Sequence, residues 1–575
     1  MQVALIGTGP AAEAIEAALA DGPDAIVESS IEELGASDLA VVIGRTGDSG
    51  FETANEIALE TETPWIAVEV GGVGGRPIDA IDAGVSTFAP GRGCYVCLRS
   101  RVAANADDEK DGPEPTAEPS AVRLAGAIAG HTAVSMAAGV DRAGRTIEVP
   151  YVERRFLPVP TCPACESPVS SPDAFEHETV SIEDAISRGE RAIDDRVGIV
   201  ASIAEAESYP AAYYLAELAD TTGLSDGSAP SHAAGVATDW NAAFMKAIGE
   251  SLERYAGAIY RADRFAVDRP DAVDGVPPAR FVAPDSPPEG EIPWVEGESL
   301  VSGNGVSLPA ELVHFPPPER RIRPAITTGL GLGSSPVEAL LSGLYEVIER
   351  DATMIAWYST YEPMALEVSS EAYRTLARRA LGEGLESTAL LVTQDVDVPV
   401  VVAAVYCEEN SAGTDEGWPS FAVGSGANLD AAGAAESALS EALQNWMELR
   451  GMGPEAAAEE SGWIGEYGDF PEPAREFLDT DVRVSASNVG PEDAPTGAEE
   501  LDAVVDRVAA VGLEPYAAWL TTRDLRALGF EAARVLIPEA QPLFTGESYF
   551  AERAQVVPRE LGYEPRLERD PHPYP

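Results

Sequence analysis

The sequence predicts an α/β protein: an N-terminal doubly wound, Rossmann-like domain followed by a larger α+β domain. Three observations predict it. Residues 2–6 (QVALI) form a short buried-strand pattern, then Gly7-Thr8-Gly9, then the helix-like PAAEAIEAALA. Strand, glycine turn and helix open a doubly wound unit. LAVVIG (39–44) and WIAVEV (65–70) read as further buried strands. From residue 182 the helix-like IEDAISRGERAI precedes the strand-like VGIVASI, and three long amphipathic helices follow. The expected division is 1–170, a linker at 171–181, and 182–575.

Composition bounds the function. A chain of 575 residues is too long for one ordinary domain, and 45% hydrophobic content supplies real cores. There are 97 acidic against 38 basic residues, a formal net charge of −59. The only lysines are Lys110 and Lys246. Nucleic-acid binding through a basic surface is disfavoured by like-charge repulsion, and the apolar content argues against an acidic disordered chain. An acidic folded surface repels itself in dilute buffer and is screened at molar salt. This points to the cytoplasm of a salt-accumulating halophile. The N-terminus lacks a charged leader and runs straight into a strand, and no apolar run reaches membrane-spanning length. Five cysteines in such a chain do not suggest a disulfide framework.

The Gly7-Thr8-Gly9 turn could sit under a nucleotide, but the bland reading, a scaffold that keeps its turn, is favoured because no lysine precedes Lys110. Two CxxC pairs follow, Cys94/Cys97 and Cys162/Cys165. Two thiolates from each tight turn complete a tetrahedral four-cysteine zinc site, structural because four thiolates leave no open position. Cys407 follows an apolar run and reads as a packed thiol. Polar residues 107–120 are expected to form a surface loop, and the domain boundary is expected within 167–181.

Three stretches, GRGCYVCLR (91–99), LAGAIAGHTAVSMAAGV (124–140) and RRFLPVPTC (154–162), together resemble the zinc-bearing, ubiquitin-activating-enzyme-like (ThiF-like) module. That module is often joined to azole-forming peptide cyclodehydratases. The basic residues and Asp used by adenylating members have no counterparts here, so the resemblance implies a scaffold. Such proteins commonly carry a winged-helix leader-peptide binder before the module; this sequence starts at the α/β strand, so the resemblance leaves leader recognition open and is compatible with a separate leader-peptide-binding or sulfur-delivery partner.

Three acidic helices carry the chemistry. The first, 239–259, buries Met245, Ile248, Leu252, Tyr255 and Ile259 and sets Glu250, Glu253 and Arg254 opposite. The second follows TTGLGLGSS (327–335). Ser335 caps it, Pro336 opens it, and Glu338 completes the capping signature. Val337, Leu340, Leu341, Leu344, Val347, Ile348 and Ile355 make its apolar face, with Glu346, Glu349 and Arg350 opposite. The third, after Gly424-Ser425-Gly426, turns Leu439, Leu443 and Trp446 inward and Glu441 and Gln444 outward. Carboxylates at i and i+3 point the same way, and two such helices face to face offer four oxygen donors for Mg2+. An adjacent Arg forks onto a phosphate oxygen, and Gln bonds a nucleotide. This is an ATP site with no Walker lysine; an ordinary solvated helix face is the alternative, weakened by the repetition.

These stretches, with TTRDLRALGFEAARVLIPEAQPL (521–543), resemble the YcaO family over about two-thirds of the chain. The resemblance implies ATP and Mg2+ bound through the Glu, Arg and Gln positions: Glu250, Glu253, Glu346 and Glu349 to metal, and Arg254, Arg350, Glu441 and Gln444 to ATP. Many members have Gly-Lys-Gly before the first helix; here Gly235-Val236-Ala237 stands there, and Arg254 or Arg350 must do more. The C-terminal PHPYP resembles the tail of azole-forming members. That resemblance implies a proton-transfer role for the carboxylate of Pro575, with His572 a spacer. The expected reaction is ATP-dependent azoline formation from Cys, Ser or Thr of a peptide. Thioamidation or thiolation with external sulfide and a delivery partner is the runner-up, and a zinc-stapled, non-catalytic binding subunit the third reading. A homodimer is compatible with any of them.

Overall fold

A computed structural model describes residues 1–20, 25–106, 117–150, 152–165, 169–172, 175–407, 418–460 and 462–575. The apolar runs near the N-terminus become the centre of a seven-stranded sheet. Its order is Ala25–Glu28, Gln2–Ile6, Leu39–Arg45, Trp65–Val70, Ala83–Phe88, Arg145–Val149 and Val152–Arg155. The first four strands are parallel and the rest antiparallel. Alternation along each strand feeds two cores. Val3 and Leu5 pack under the helices Pro10–Leu19 and Pro119–Ala137, while Ala4 and Ile6 pack under the helix Gly50–Glu60. The two helices on the first face touch at Gly126, where a Cβ would come within 2.3 Å of the Ala11 carbonyl oxygen. This is the doubly wound arrangement expected.

Two boundaries differ from expectation. The polar loop at 107–120 lies outside the described residues as far as 116, and a helix already begins at Pro119, where proline suits the first turn. The helix-like 182–193 ends at Gly189 and tightens into a 3-10 turn over Glu190–Ala192. Ser181 caps it, accepting from the Asp184 amide at 3.1 Å. Of the expected linker, residues 173 and 174 lie outside the described set; the others up to 180 carry no helix or strand.

The second part is built on three strand–helix units: strand His232–Ala237 with helix Trp240–Ala258, strand Leu330–Gly333 with helix Pro336–Trp357, and strand Phe421–Ala427 with helix Ala431–Ala457. Each strand belongs to a different sheet. Asp239, Ser335 and Asp430 cap the three helices with their side chains. Glycine lets each strand lie directly on its helix. A Cβ at Gly235 would stand 2.2 Å from the Ala247 nitrogen, at Gly331 2.2 Å from the Ala339 oxygen, and at Gly424 2.5 Å from the Ala438 oxygen. The predicted apolar face of the second helix is buried throughout. Its opposite face, which spacing alone would leave to solvent, is also enclosed: Glu349 is 9% exposed. Among the described residues no helix is long and apolar enough to cross a membrane.

Candidate active site

The three units repeat one contact. In each, a backbone amide in the strand or just before it donates to a cleft glutamate of its own helix: Ala234 to Glu250 at 2.7 Å, Gly329, the residue before its strand, to Glu346 at 3.0 Å, and Ser425 to Glu441 at 2.7 Å. The close strand–helix approach made by the glycines puts these amides within reach. The Ser425 hydroxyl also donates to Glu349, at 2.7 Å, and so joins the second and third units.

The glutamates of all three helices face one another. Glu253 is pushed up to about 8, first by burial and then by Glu346 and Glu250. Glu349 is pushed up to about 7 by burial, with Arg350 pulling down and Glu441 and Glu346 pushing up. Glu250 and Glu441 are also raised, chiefly by burial. The cluster therefore brings together all the acids read from sequence, Glu250, Glu253, Glu346, Glu349 and Glu441. Arg350 lies between the second and third helices, 3.8 Å from Glu349 and 3.6 Å from Glu441. Arg254 turns back on its own unit, pairing with Glu250 at 2.5 Å and donating to the His232 carbonyl at 3.0 Å. Gln444 donates to Glu448 at 3.0 Å.

Several members were missed. Lys246 lies one turn before Glu250 on the same helical stripe. Its side chain is exposed to solvent and stands within electrostatic range of Glu436 and Glu441. Its spacing from Glu250, in a chain with two lysines, was the available signal. Arg534, on the strand Glu531–Leu536, is 2% exposed and donates to the carbonyls of Thr327 and Ile326 at 2.6 and 2.8 Å. Burial and Arg323 push it down to about 9, against the pull of Glu346 and Glu253. Glu448, held also by the Tyr213 hydroxyl at 3.1 Å, adds a further carboxylate. Val236, where the family's lysine was sought, is 2% exposed and packs in a core.

The C-terminal tail runs to the same place. The Trp357 indole, at the end of the second acidic helix, donates to the Asp570 carbonyl at 2.9 Å, and the Tyr467 hydroxyl donates to the Pro571 carbonyl. His572 is fully buried, bonded at 2.7 Å to the Phe544 carbonyl and stacked on Tyr574. Burial pushes it down to about 4, so it stays neutral and anchors the tail. Tyr574 is buried within electrostatic range of Arg350, and Pro575 beyond it is exposed.

The four cysteines meet elsewhere. Cys94, Cys97, Cys162 and Cys165 bring their sulfurs within 4.8 Å of one another, with separations of 3.9, 3.7 and 3.4 Å for the contacting pairs. A tetrahedral ion with bonds of about 2.3 Å separates its sulfurs by about 3.8 Å, so the set fits zinc. The Val159 amide donates to Cys97 at 3.3 Å and Arg523 to Cys165 at 3.5 Å, an outer shell suited to thiolates. Cys407 is partly buried against a core. The acid cleft likewise fits Mg2+ and a nucleotide: it offers hard oxygen donors beside Arg350, Arg534 and Lys246.

The family model described as YcaO cyclodehydratase, ATP- and Mg2+-binding, matches residues 234–541, more than half of the chain. The chain belongs to the YcaO family. An uncharacterized protein of Methanothermobacter thermautotrophicus is 30% identical over 165 residues, covering 27% of this chain and 43% of that protein. An uncharacterized protein in the tfuA 3′ region of Rhizobium leguminosarum bv. trifolii is 29% identical over 173 residues, covering 28% and 41%. These matches thus span less than half the length of either relative. A heterocyclase in complex with substrate and cofactor superposes with TM-score 0.72 at 19% identity, over 98% of this chain and 83% of that one. The heterocyclase TruD does so with TM-score 0.66 at 18% identity, over 98% and 82%. Both likenesses show a shared fold that takes in the residues before 234 as well.

Proposed function

We propose that this protein is an ATP-dependent cyclodehydratase that forms azolines in a peptide. The observation that carries this reading is the convergence of three amide-buttressed acidic helices and a set of cations in one cleft, with Tyr574 of the tail within electrostatic range of Arg350. Glu250, Glu253, Glu346 and Glu349 hold Mg2+, which would neutralise phosphate charge. Arg254, Arg350, Glu441 and Gln444 bind ATP. Lys246 and Arg534 supply the phosphate contacts left open by Val236. Residues 1–170 form the scaffold that carries Zn2+ on Cys94, Cys97, Cys162 and Cys165, residues 171–181 connect, and 182–575 form the ATP-binding domain.

The nucleophile is the substrate's own. A Cys thiol or a Ser or Thr hydroxyl adds to the preceding backbone carbonyl carbon. The resulting oxyanion takes the γ-phosphoryl group of ATP and releases ADP. Loss of the amide-nitrogen proton and of phosphate then gives the C=N bond of the azoline. The cleft contributes positioning and positive charge around the transferred group, and the carboxylate of Pro575 moves a proton. A separate leader-peptide-binding partner is compatible with this scheme. The acidic surface fits a cytoplasm rich in salt.

The test is incubation with ATP, Mg2+ and Cys-containing peptides at molar salt, read by mass spectrometry. Loss of one water per modified residue, with ADP formed in step, is expected, and Glu346→Gln should abolish both. Replacement of oxygen by sulfur in the presence of sulfide would favour thioamidation instead. An absence of ATP turnover under every condition would overturn the enzyme reading.

A further inference from the structure

A cavity of about 1000 Å³ lies away from the acidic cleft, between the edge of the N-terminal sheet and the second part of the chain. Its walls include the edge strand Val152–Arg155, the turn before Cys94, residues 190–194 and the short helix Arg523–Leu528. Among the described residues six arginines line it: Arg92, Arg145, Arg154, Arg155, Arg191 and Arg523. Five carboxylates among the described residues also line it, a ratio far from the 38 to 97 of the whole chain.

Three of the arginines are already paired, Arg92 with Asp141, Arg145 with Glu153 and Arg154 with Asp194. The other three have no carboxylate partner among the described residues. Arg191 donates to the Ala527 carbonyl at 2.8 Å, and Arg523 to the carbonyl and sulfur of Cys165. Arg155 is exposed and has no such bond among the described residues. Burial, Arg155 and Arg188 together press Arg191 below its ordinary range, as uncompensated positive charge would.

The backbone adds a second recognition element. Among the described residues Val152–Arg155 is the last strand of its sheet and pairs on one side alone. Among the described residues, no backbone hydrogen bond of Glu153, Arg154 or Arg155 reaches beyond that pairing. Such an edge accepts an added strand, and here it forms a wall of a cation-rich cavity. The volume is at the upper end of the range for ligand sites, too large for a lone ion.

We propose that this cavity takes an acidic, extended peptide segment, aligned along the free edge of Val152–Arg155 with its carboxylates on Arg155, Arg191 and Arg523. The proposal rests on the peptide-substrate reading: the segment is a part of the substrate outside the residues that are modified. Main-chain pairing would supply affinity with little demand on sequence, and the arginines would select for charge.

The experiment uses the full-length protein and three short labelled peptides of alternating pattern: Glu with Leu, Gln with Leu, and Lys with Leu. Fluorescence anisotropy gives their affinities. The Glu peptide is expected to bind about tenfold more tightly than the Gln peptide, with the advantage shrinking as salt rises. The double variant Arg155→Glu/Arg191→Glu should lose that advantage and favour the Lys peptide, while retaining ATP turnover. Equal binding of the Glu and Gln peptides, or an advantage untouched in the double variant, overturns the proposal. Glu346→Gln separates the two readings: it should stop ATP turnover and leave peptide binding intact. Failure of peptide binding in a protein that still turns over ATP sinks this inference alone.

Discussion

Arg101 and Asp524, 423 residues apart in sequence, form an ion pair with both side chains fully buried. Tyr255 completes the group, donating to Asp524 at 2.6 Å and accepting from Arg101 at 3.3 Å. Arg101 stands one turn after Cys97 on the helix Tyr95–Ala104, and Tyr255 directly follows Arg254 on the first acidic helix. The cysteine cluster and the acidic cleft are therefore joined through one buried contact.

Breaking one side of that contact should be costly. Arg101→Met or Asp524→Leu leaves a buried charge unpaired and should destabilise by about 3–5 kcal/mol, with the double variant recovering most of the loss. Denaturant midpoints of the three variants check this. ATP turnover should fall in the single variants more than in the double, because Tyr255 positions the helix that carries Glu250 and Glu253.

Zinc should bind one ion per chain. Cys97→Ser or Cys165→Ser should remove it, as elemental analysis would show, and chelation of the wild type should lower its thermal midpoint. Bound zinc that persists at one per chain in both variants would refute the assignment of the ion to the four cysteines.

The phosphate contact can be tested against position 236. Lys246→Gln should raise the KM for ATP about tenfold, equivalent to about 1.4 kcal/mol. Val236→Lys should not restore it, because that side chain points into a core; lowered thermal stability is the expected result. A normal KM in Lys246→Gln would remove this lysine from the site.

His314 gives a pH dependence. It is buried, its Nδ1 is 3.1 Å from the Gly257 carbonyl oxygen, and burial pushes it down to about 4. The unfolded chain then binds the extra proton between about pH 6.5 and 4. Stability attached to His314 is complete above about 6.5 and is lost as pH falls towards 4, by about 3 kcal/mol in all. Denaturation midpoints of wild type and His314→Gln should converge over that window as pH falls, and a constant gap would exclude the linkage.

The tail should act through its anchor. Tyr574→Ala removes a buried ring that packs on His572 and across Trp357. Azoline formation should fall about tenfold or more through misplacement of Pro575, while nucleotide binding, measured calorimetrically, changes little. Unchanged product formation would separate the tail from the chemistry.

Much of this was legible beforehand because it depends on local pattern. Buried-strand runs, Ser335 as a cap and the i, i+3 acids each leave a short-range mark in sequence. The four cysteines were also readable, although 64 residues separate the pairs. Tertiary contacts leave no such mark. Arg534 enters the cleft from a strand far along the chain, and the pairing of Arg101 with Asp524 follows no spacing rule. Lys246 was visible but went unread, because a lone lysine on a helix face looks like any solvated charge until the other helices are in place. The enclosure of Glu349 escaped the helical-wheel argument because periodicity tells two faces apart without saying what covers the second.

The backbone amides that support the glutamates also take up one lone-pair site on each of three of them. One oxygen each of Glu250, Glu346 and Glu441 is taken by an amide, and one of Glu349 by Ser425. The other oxygen of Glu250 faces Arg254, and that of Glu441 faces Arg350. A Mg2+ ion held as proposed would share these carboxylates with the amides, Ser425 and the arginines, so phosphate oxygens and water would supply much of its coordination. Metal and nucleotide would then load as one unit, and Mg2+ alone would bind weakly.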